Sequence, residues 1–286
     1  MTVHIIADSA SDLNKEDFSS LGITRVSLSV ILDDQTYSDG ENIEPIYVYD
    51  EMRSGKSPKT SQVTPDQFER VFKDYAKNNE PCLYLAFSSA LSGTYQSATI
   101  ARQAVLDEYP DADIRVVDTL SASFGYGLVV REAARLANEG HTLDEVVAQS
   151  SYYAEHMEHI FTVDDLEYLY RGGRVSKTAA FMGTLLKIKP ILHVSEGKLI
   201  PLEKIRGTKK AYKRLLDMME ERSVDLKDQI IGISHSDCLE NAEMLADEIK
   251  SRFHVKTVDI RMIGAAIGSH TGPGTIAIFF PSKPIH

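Results

Sequence analysis

The chain has 286 residues, more than one hydrophobic core usually supports, so we expect two domains with a ligand pocket between them. Its 43% hydrophobic and 26% charged residues exclude intrinsic disorder, and its net charge of −11 disfavours nucleic-acid binding. Its two cysteines, Cys82 and Cys238, lack metal-ligand spacing, which excludes a disulfide framework and a zinc site. We therefore expect a cytoplasmic protein without a metal or a cofactor.

The first half of the chain repeats a short apolar strand, a loop of small polar residues and a helix. This pattern predicts an α/β domain over residues 1–159, with a doubly wound, mostly parallel sheet. In such sheets ligands lie beyond the carboxyl ends of the strands, where the polar loops stand. The predicted strands cover residues 3–7, 82–87 and 114–117, their loops cover 8–12, 88–94 and 118–123, and helices follow over 95–106 and 126–138.

From about residue 160, strands are joined by a mixture of short turns and helices, which predicts an α+β domain over residues 160–286 that completes the pocket. Residues 262–282 contain no Asp, Glu, Lys or Arg, but a glycine-rich stretch interrupts them. We predict two buried strands around a polar loop there, not a membrane span. The other predicted strands are 160–163, 191–193, 198–200 and 230–234, and the helices are 166–170, 176–186, 208–222 and 239–253.

Two hydroxyl-rich loops are candidates for anion binding. Thr60 and Ser61 lie between Pro58 and Pro65 in a loop before a predicted helix, where they either bind a ligand or cap the helix. The Ser92-Gly93-Thr94 segment begins a helix and combines exposed amides, two hydroxyls and a glycine that permits close approach. A simple helix cap is the alternative. Because this loop lacks the lysine of a phosphate-binding loop, nucleotide binding is unsupported.

His270 is the third candidate, because an imidazole among glycines in an apolar setting can donate a hydrogen bond to a buried anion. A structural turn histidine is the alternative. A hydrolase dyad of Ser88 or Ser92 with His270 would make the protein an esterase or thioesterase. Neither serine stands in a Gly-x-Ser-x-Gly elbow, and no orienting acid can be assigned.

Residues 171–214 contain twelve Lys or Arg and only two acidic residues. Arg171 and Arg174 flank a glycine pair and face either the pocket or a partner. Arg206 belongs to a basic run that continues into a helix. This run is either solvated surface or a docking site for an acidic protein, and in the second case the pocket could even be vestigial.

Several motifs together resemble the DegV family almost from end to end. They are Asp8-Ser9-x-x-Asp12, Tyr37-x-Asp39-Gly40, Lys59-Thr60-Ser61-Gln62, Ser88-Ser89-x-Leu91-Ser92-Gly93-Thr94, Arg171-Gly172-Gly173-Arg174, Lys189-Pro190-Ile191-Leu192 and His270-x-Gly272-Pro273-Gly274. The resemblance implies a two-domain lipid carrier that buries one fatty acid and is not itself an enzyme. In many bacteria such a carrier is the fatty-acid-binding subunit of fatty acid kinase, and the partner kinase supplies the ATP chemistry for acyl-phosphate formation in phospholipid synthesis.

Carried over by position, the resemblance places the carboxylate contacts on Thr60, Ser92 and His270. Neighbouring carboxylate-binding candidates are Ser61, Gly93 and Thr94, whereas Arg171, Arg174 and Arg206 are candidates for the phosphorylation step or for kinase docking. A palmitate- or oleate-like chain with about fourteen buried methylenes would contribute on the order of 11 kcal/mol before ordering costs. The predicted tunnel residues are Phe181, Met182, Leu185, Leu186, Ile276 and Phe279.

Overall fold

The computed structural model describes residues 2–176 and 188–283. Within them the strands, in chain order, are β1 (His4–Asp8), β2 (Thr24–Val26), β3 (Ser29–Leu32), β4 (Gln35–Ser38), β5 (Lys59–Ser61), β6 (Cys82–Ala86), β7 (Ile114–Asp118), β8 (Met157–Thr162), β9 (Ile188–Ser195), β10 (Lys198–Arg206), β11 (Ile230–His235), β12 (Thr257–Met262) and β13 (Ile276–Pro281). The helices are α1 (Lys15–Ser20), α2 (Pro45–Arg53), α3 (Pro65–Lys77), α4 (Thr94–Glu108), α5 (Ser123–Asn138), α6 (Leu143–Glu155), α7 (Leu166–Arg171), α8 (Thr208–Arg222), α9 (Leu239–Phe253) and α10 (Ala265–Thr271).

The first sheet has four parallel strands in the order β2-β1-β6-β7. Every residue of β6 is buried, as expected for a central strand with both faces covered. Two of the surrounding helices begin with capping boxes, α3 at Thr64 and α6 at Thr142. Because β1, β6 and β7 are parallel, the polar loops that follow them meet at one edge of the sheet.

The second sheet has six strands in the order β10-β9-β8-β13-β11-β12, and its pairs are antiparallel except for β11 with β12. One face belongs to the same hydrophobic core as the first sheet, and the other face forms a second core with α8 and α9. The predicted α/β class, with a parallel amino-terminal sheet and a separate carboxyl-terminal sheet, is confirmed. The boundary proposed between residues 159 and 160 falls within β8 and stays a prediction.

Two predicted loops contain regular structure instead. Residues 59–61 form β5, the edge of a small antiparallel sheet with the order β4-β3-β5, in which Thr60 pairs with Val30. The glycine-rich stretch after β12 contains helix α10, so the predicted polar loop at His270 is wrong. The predicted helix over 176–186 lies almost entirely outside the described residues. In the described ranges, no helix combines the length and apolar character that crossing a bilayer requires.

Candidate functional site

A cavity of about 360 Å³ lies between the two sheets, within the range of roughly 300–1,000 Å³ that is usual for small-molecule sites. Its walls come from distant parts of the chain: β5, the start of α4, the start of α5, β8, β13 and α10. Among the predicted site residues, those that line it are Thr60, Ser61, Ser92, Gly93, Arg174 and His270. Folding thus brings both hydroxyl-rich segments and the histidine to one cavity.

Thr60 and His270 form the central contact of the polar end. Thr60 Oγ1 lies 2.7 Å from His270 Nε2, across 210 residues of sequence. Strand β5 holds Thr60 in register with β3, while His270 lies in the last turn of α10. A Cβ on Gly172 would lie 2.2 Å from His270 Nδ1, so only glycine at that position leaves room for the ring.

The His270 imidazole is neutral at neutral pH, because burial and then the charge of Arg174 lower its pKa to about 4. In the neutral ring one nitrogen donates and the other accepts. The pair of Thr60 and His270 can therefore offer hydrogen-bond donors to an anion without holding a formal charge. In the described chain no carboxylate is hydrogen-bonded to His270, so the orienting acid of a hydrolase is absent there.

Ser92 and Gly93 form the second polar wall, and Thr94 follows them at the start of α4. Ser92 Oγ lies 2.9 Å from Thr94 Oγ1 and accepts a hydrogen bond from the Thr94 amide at 3.2 Å. Thr94 is fully buried behind Ser92 and does not line the cavity. The hydroxyl partner of Ser92 is therefore Thr94 and not His270, so the predicted alternative of a Ser92–His270 dyad has no support in this geometry.

Only glycine fits at position 93, because the side chain of Gln62 lies against it. A Cβ at this position would lie 2.0 Å from Gln62 Oε1, and the Gln62 amide donates to Ser97 Oγ at 2.8 Å. Gln62 also lines the cavity and joins the end of β5 to the start of α4. The lone signal in the sequence was its place beside Thr60 and Ser61.

Arg174 is the positive group of the cavity. Its guanidinium donates to the Leu91 carbonyl through Nε at 3.1 Å and through Nη2 at 3.0 Å, and burial lowers its pKa. Among residues 2–176 and 188–283 no carboxylate forms an ion pair with it. Of the two predicted alternatives for Arg174, the structure shows the one in which it faces the pocket, because this guanidinium lines the cavity together with Thr60 and Ser92.

Arg171 and Arg206 lie elsewhere. Arg171 lines a second cavity of about 490 Å³ that shares Thr60, Arg174 and His270 with the first, and it donates to Ser57 Oγ at 2.7 Å. Arg206 is at the exposed end of β10 and lines neither cavity. The structure therefore separates it from the polar end, and a pocket role for Arg206 is not supported.

Two buried carboxylates hold the helix that carries His270. Asp12 Oδ1 accepts from the Gly264 amide at 2.8 Å, and Asp39 accepts from the next two amides at the start of α10. Burial and then the nearby charge of Asp39 raise the pKa of Asp12, which is about 7. Burial likewise raises the pKa of Asp39 to about 6. The sequence analysis noted both motifs and assigned no role to them.

The apolar part of the cavity agrees only partly with the predicted tunnel. Phe279 lines it, whereas Ile276 belongs to the second core, because alternate residues of β13 face opposite sides of the sheet. Phe181, Met182, Leu185 and Leu186 lie outside the described residues. Further lining residues that the sequence analysis missed are Ser123, His159, Phe161, Thr271, Thr275 and Ala277.

Metal-binding groups offer no second interpretation of this site. In the described ranges, no three His, Cys, Asp or Glu side chains cluster in a way that could hold an ion. The cavity is mostly apolar and has hydroxyls, an imidazole and one guanidinium at its polar end, a combination that suits an amphipathic ligand with an anionic group.

Comparisons with known proteins identify the family of the chain. The model of the DegV family, described as uncharacterised, matches residues 2–283, and the chain belongs to this family. A DegV domain-containing protein of Clostridium perfringens is 46% identical over 279 residues, which is 96% of either chain.

Solved structures show the same fold. A fatty-acid-binding DegV family protein from Thermus thermophilus is 35% identical and superposes with a TM-score of 0.90, covering 98% of this chain and 99% of its own. The fatty acid kinase B3 protein of Streptococcus pneumoniae, loaded with linoleic acid, has a TM-score of 0.88 with coverage of 99% and 100%. At 23% identity it shows the fold alone.

Proposed function

We propose that the protein binds one long-chain, palmitate- or oleate-like fatty acid in the cavity between its sheets. The carboxylate lies among Thr60, Ser92 and His270, and the acyl chain occupies the apolar part. The observation that carries the proposal is the Thr60–His270 contact of 2.7 Å at the polar end of an otherwise apolar cavity. The Thermus relative, which binds fatty acid, supports it.

The polar end suits a carboxylate for a physical reason. A buried carboxylate must be hydrogen-bonded, and each bond from a neutral donor to a charged group is worth about 1.5–3 kcal/mol. Hydroxyl and imidazole donors satisfy its oxygens, and the Arg174 guanidinium on the same cavity supplies a favourable potential. We propose that the chain itself supplies no catalytic group and requires neither a metal nor a cofactor.

In the cell, we propose, the bound carboxylate is presented to the catalytic subunit of a fatty acid kinase. The second cavity, lined by Lys59, Arg171 and Arg174, adjoins the carboxylate site and leaves it reachable by a partner. The acyl phosphate formed would then enter phospholipid synthesis. Arg206 lies away from both cavities on β10, where it can contact an acidic kinase surface without touching lipid. Cytoplasmic location stays part of this proposal.

The first test is identification of small molecules extracted from the denatured protein by mass spectrometry, against a mock purification. We expect a near-stoichiometric fatty acid. Purified protein that contains no fatty acid and also takes up none when it is added would contradict the proposal.

The donors are tested by Thr60→Val, Ser92→Ala and His270→Ala, each expected to weaken fatty-acid binding by roughly tenfold or more, because one bond to the carboxylate is lost. Thr99→Val is the matched control, since Thr99 donates within α4 to the Tyr95 carbonyl and does not line the cavity. Equal losses in the control and the three variants would count against this site.

The partner role is tested with ATP, a fatty acid kinase catalytic subunit and hydroxylamine trapping of acyl phosphate. Arg206→Glu should abolish the stable complex while leaving bound lipid unchanged. Lipid loss in this variant, or an undiminished complex, would sink the docking part of the proposal and leave lipid binding intact.

A further inference from the structure

The register of β8 with β13 shows in which direction the cavity extends. Phe161 is paired with Ala277, and His159 is paired with Phe279, and all four side chains line the cavity. Because side chains alternate between the faces of a strand, these residues form a continuous floor on one face of the sheet. The floor is therefore a double row that runs along two adjacent strands.

One end of this floor adjoins the polar site. Thr275, the residue before β13, donates to the Thr271 carbonyl at 3.1 Å, and this bond ties it to the helix that carries His270. From Thr275 to Phe279 the strand advances four residues, which is about 13 Å. His159 and Phe279 therefore lie at the inner end of the cavity, the end remote from His270.

At this end the rings of His159 and Phe279 pack against each other and are buried. They meet edge to face, with centroids 5.3 Å apart and an interplanar angle of 83°, and they are 3% and 2% exposed. His159 Nδ1 donates to the Met157 carbonyl at 2.9 Å, while Nε2 accepts from the Ala122 amide at 3.4 Å. The imidazole is thus fixed by the backbone on both sides, and a fixed ring makes a rigid end wall.

Two glycines leave the space that the rings of His159 and Phe279 occupy. A Cβ on Gly125 of α5 would lie 2.5 Å from His159 Nε2 and 2.6 Å from Phe279 Cδ1. A Cβ on Gly232 of β11 would lie 2.8 Å from Phe124 and 3.2 Å from Phe279. Any larger residue at 125 must push the rings toward the lumen, so the missing side chain at this position sets the depth of the cavity.

We infer that His159 and Phe279, seated against Gly125, form the stop that determines the longest straight acyl chain the protein accepts. This inference rests on the proposed function and deepens it. A chain whose terminal methyl reaches the two rings fills the cavity, and a chain longer by two carbons has no volume to enter. Truncating a ring lengthens the accepted chain, and adding a methyl group at Gly125 shortens it.

The experiment offers delipidated protein an equimolar mixture of straight saturated fatty acids of even chain length and measures the bound set by mass spectrometry. In Phe279→Leu we expect the distribution to move up by two carbons. The ratio of the longer to the shorter acid should change roughly tenfold, the factor that corresponds to two further buried methylenes. Gly125→Ala should move it down.

Phe280→Leu is the matched control, because Phe280 lies on the same strand, is equally buried and faces the second core. It should lose stability and keep the wild-type distribution. If Gly125→Ala does not fold, Phe279→Leu and His159→Ala carry the test.

The outcomes separate the two proposals. Phe279→Leu protein that binds fatty acid with an unchanged distribution overturns the stop and leaves the fatty-acid function standing. The same shift in Phe280→Leu also overturns it, because the effect would then follow stability and not cavity depth. Wild-type protein that takes up none of the acids overturns the proposed function itself.

Discussion

The two faces of the six-stranded sheet are covered differently. The face toward α8 and α9 is paved with branched aliphatic side chains, among them Ile160, Ile233 and Ile278, and forms a closed core. The opposite face has Ala277, Phe161 and His159 in the corresponding positions and forms one wall of the cavity. The same strands supply both faces, because successive side chains point to opposite sides.

The cavity therefore arises from the side chains of one face and not from a break in the sheet. Branched residues of similar size interdigitate and fill the space between sheet and helices. A small alanine beside the His159 ring cannot do so, since backbone hydrogen bonds hold this ring in place. Along one strand, alternate residues thus either fill the closed core or line the cavity.

The largest expected effect is on the closed face. Ile278→Ala should lower the free energy of unfolding by about 2–5 kcal/mol, because it leaves a void in a filled core. Chemical denaturation measures the loss, and the identity of the bound lipid should stay as in wild type. A changed lipid profile would break the proposed division between the faces.

The next effect concerns the adjacent residue on the open face. Ala277→Leu should weaken fatty-acid binding by on the order of 2 kcal/mol, because the added carbons occupy volume that about three methylenes would otherwise fill. Fatty-acid titration measures this change. In delipidated protein the free energy of unfolding should change less than in Ile278→Ala, and a larger loss would show that the position is tightly packed after all.

The last two predictions concern pH, and their effects are the smallest when expressed per pH unit. Burial raises the pKa of Asp12 to about 7, so the folded wild type binds this proton more tightly than the unfolded chain does. Stability from this group is complete below about pH 4 and is lost as the pH rises to about 7. Asp12→Asn should therefore gain stability relative to wild type over that interval, by at most about 1.4 kcal/mol per pH unit.

His159 should behave in the opposite sense. Burial lowers its pKa to about 4, so the folded state holds it neutral, and stability from this group is lost as the pH falls from 6.5 to about 4. His159→Gln should gain stability relative to wild type as the pH is lowered. Denaturation at several pH values gives the stability difference between each variant and wild type. This difference should increase with pH for Asp12→Asn and decrease with pH for His159→Gln, and slopes of the same sign would contradict the two pKa assignments.

The elements that the sequence predicts well are those whose signals are local. The strand, polar loop and helix around Ser92 were predicted because an apolar run ends at small polar residues and a helical pattern follows. The polar cluster of Thr60, Ser92 and His270 in one cavity follows from the family motifs, whereas no local pattern relates residues 60 and 270. Only the fold brings them to 2.7 Å.

The failures have physical causes. Strand β5 has three residues and no apolar alternation, and it exists because β3 supplies its hydrogen-bond partners. Helix α10 follows one glycine and contains another, which favours a loop locally, but Asp12 and Asp39 bind its first amides from distant segments. Gln62 and Gly125 were missed because their importance lies in what touches them in space.

The position of β13 in its sheet affects when the protein can form. This strand lies between β8 and β11, although every other strand of the sheet precedes it in the chain. During synthesis, β8 and β11 each have one unpaired edge until residues 276–281 have left the ribosome. Such non-local closure slows folding and exposes strand edges in the interval. The cavity floor and the helix that carries His270 are completed in the same late step, so the cavity forms only after residue 281 has emerged.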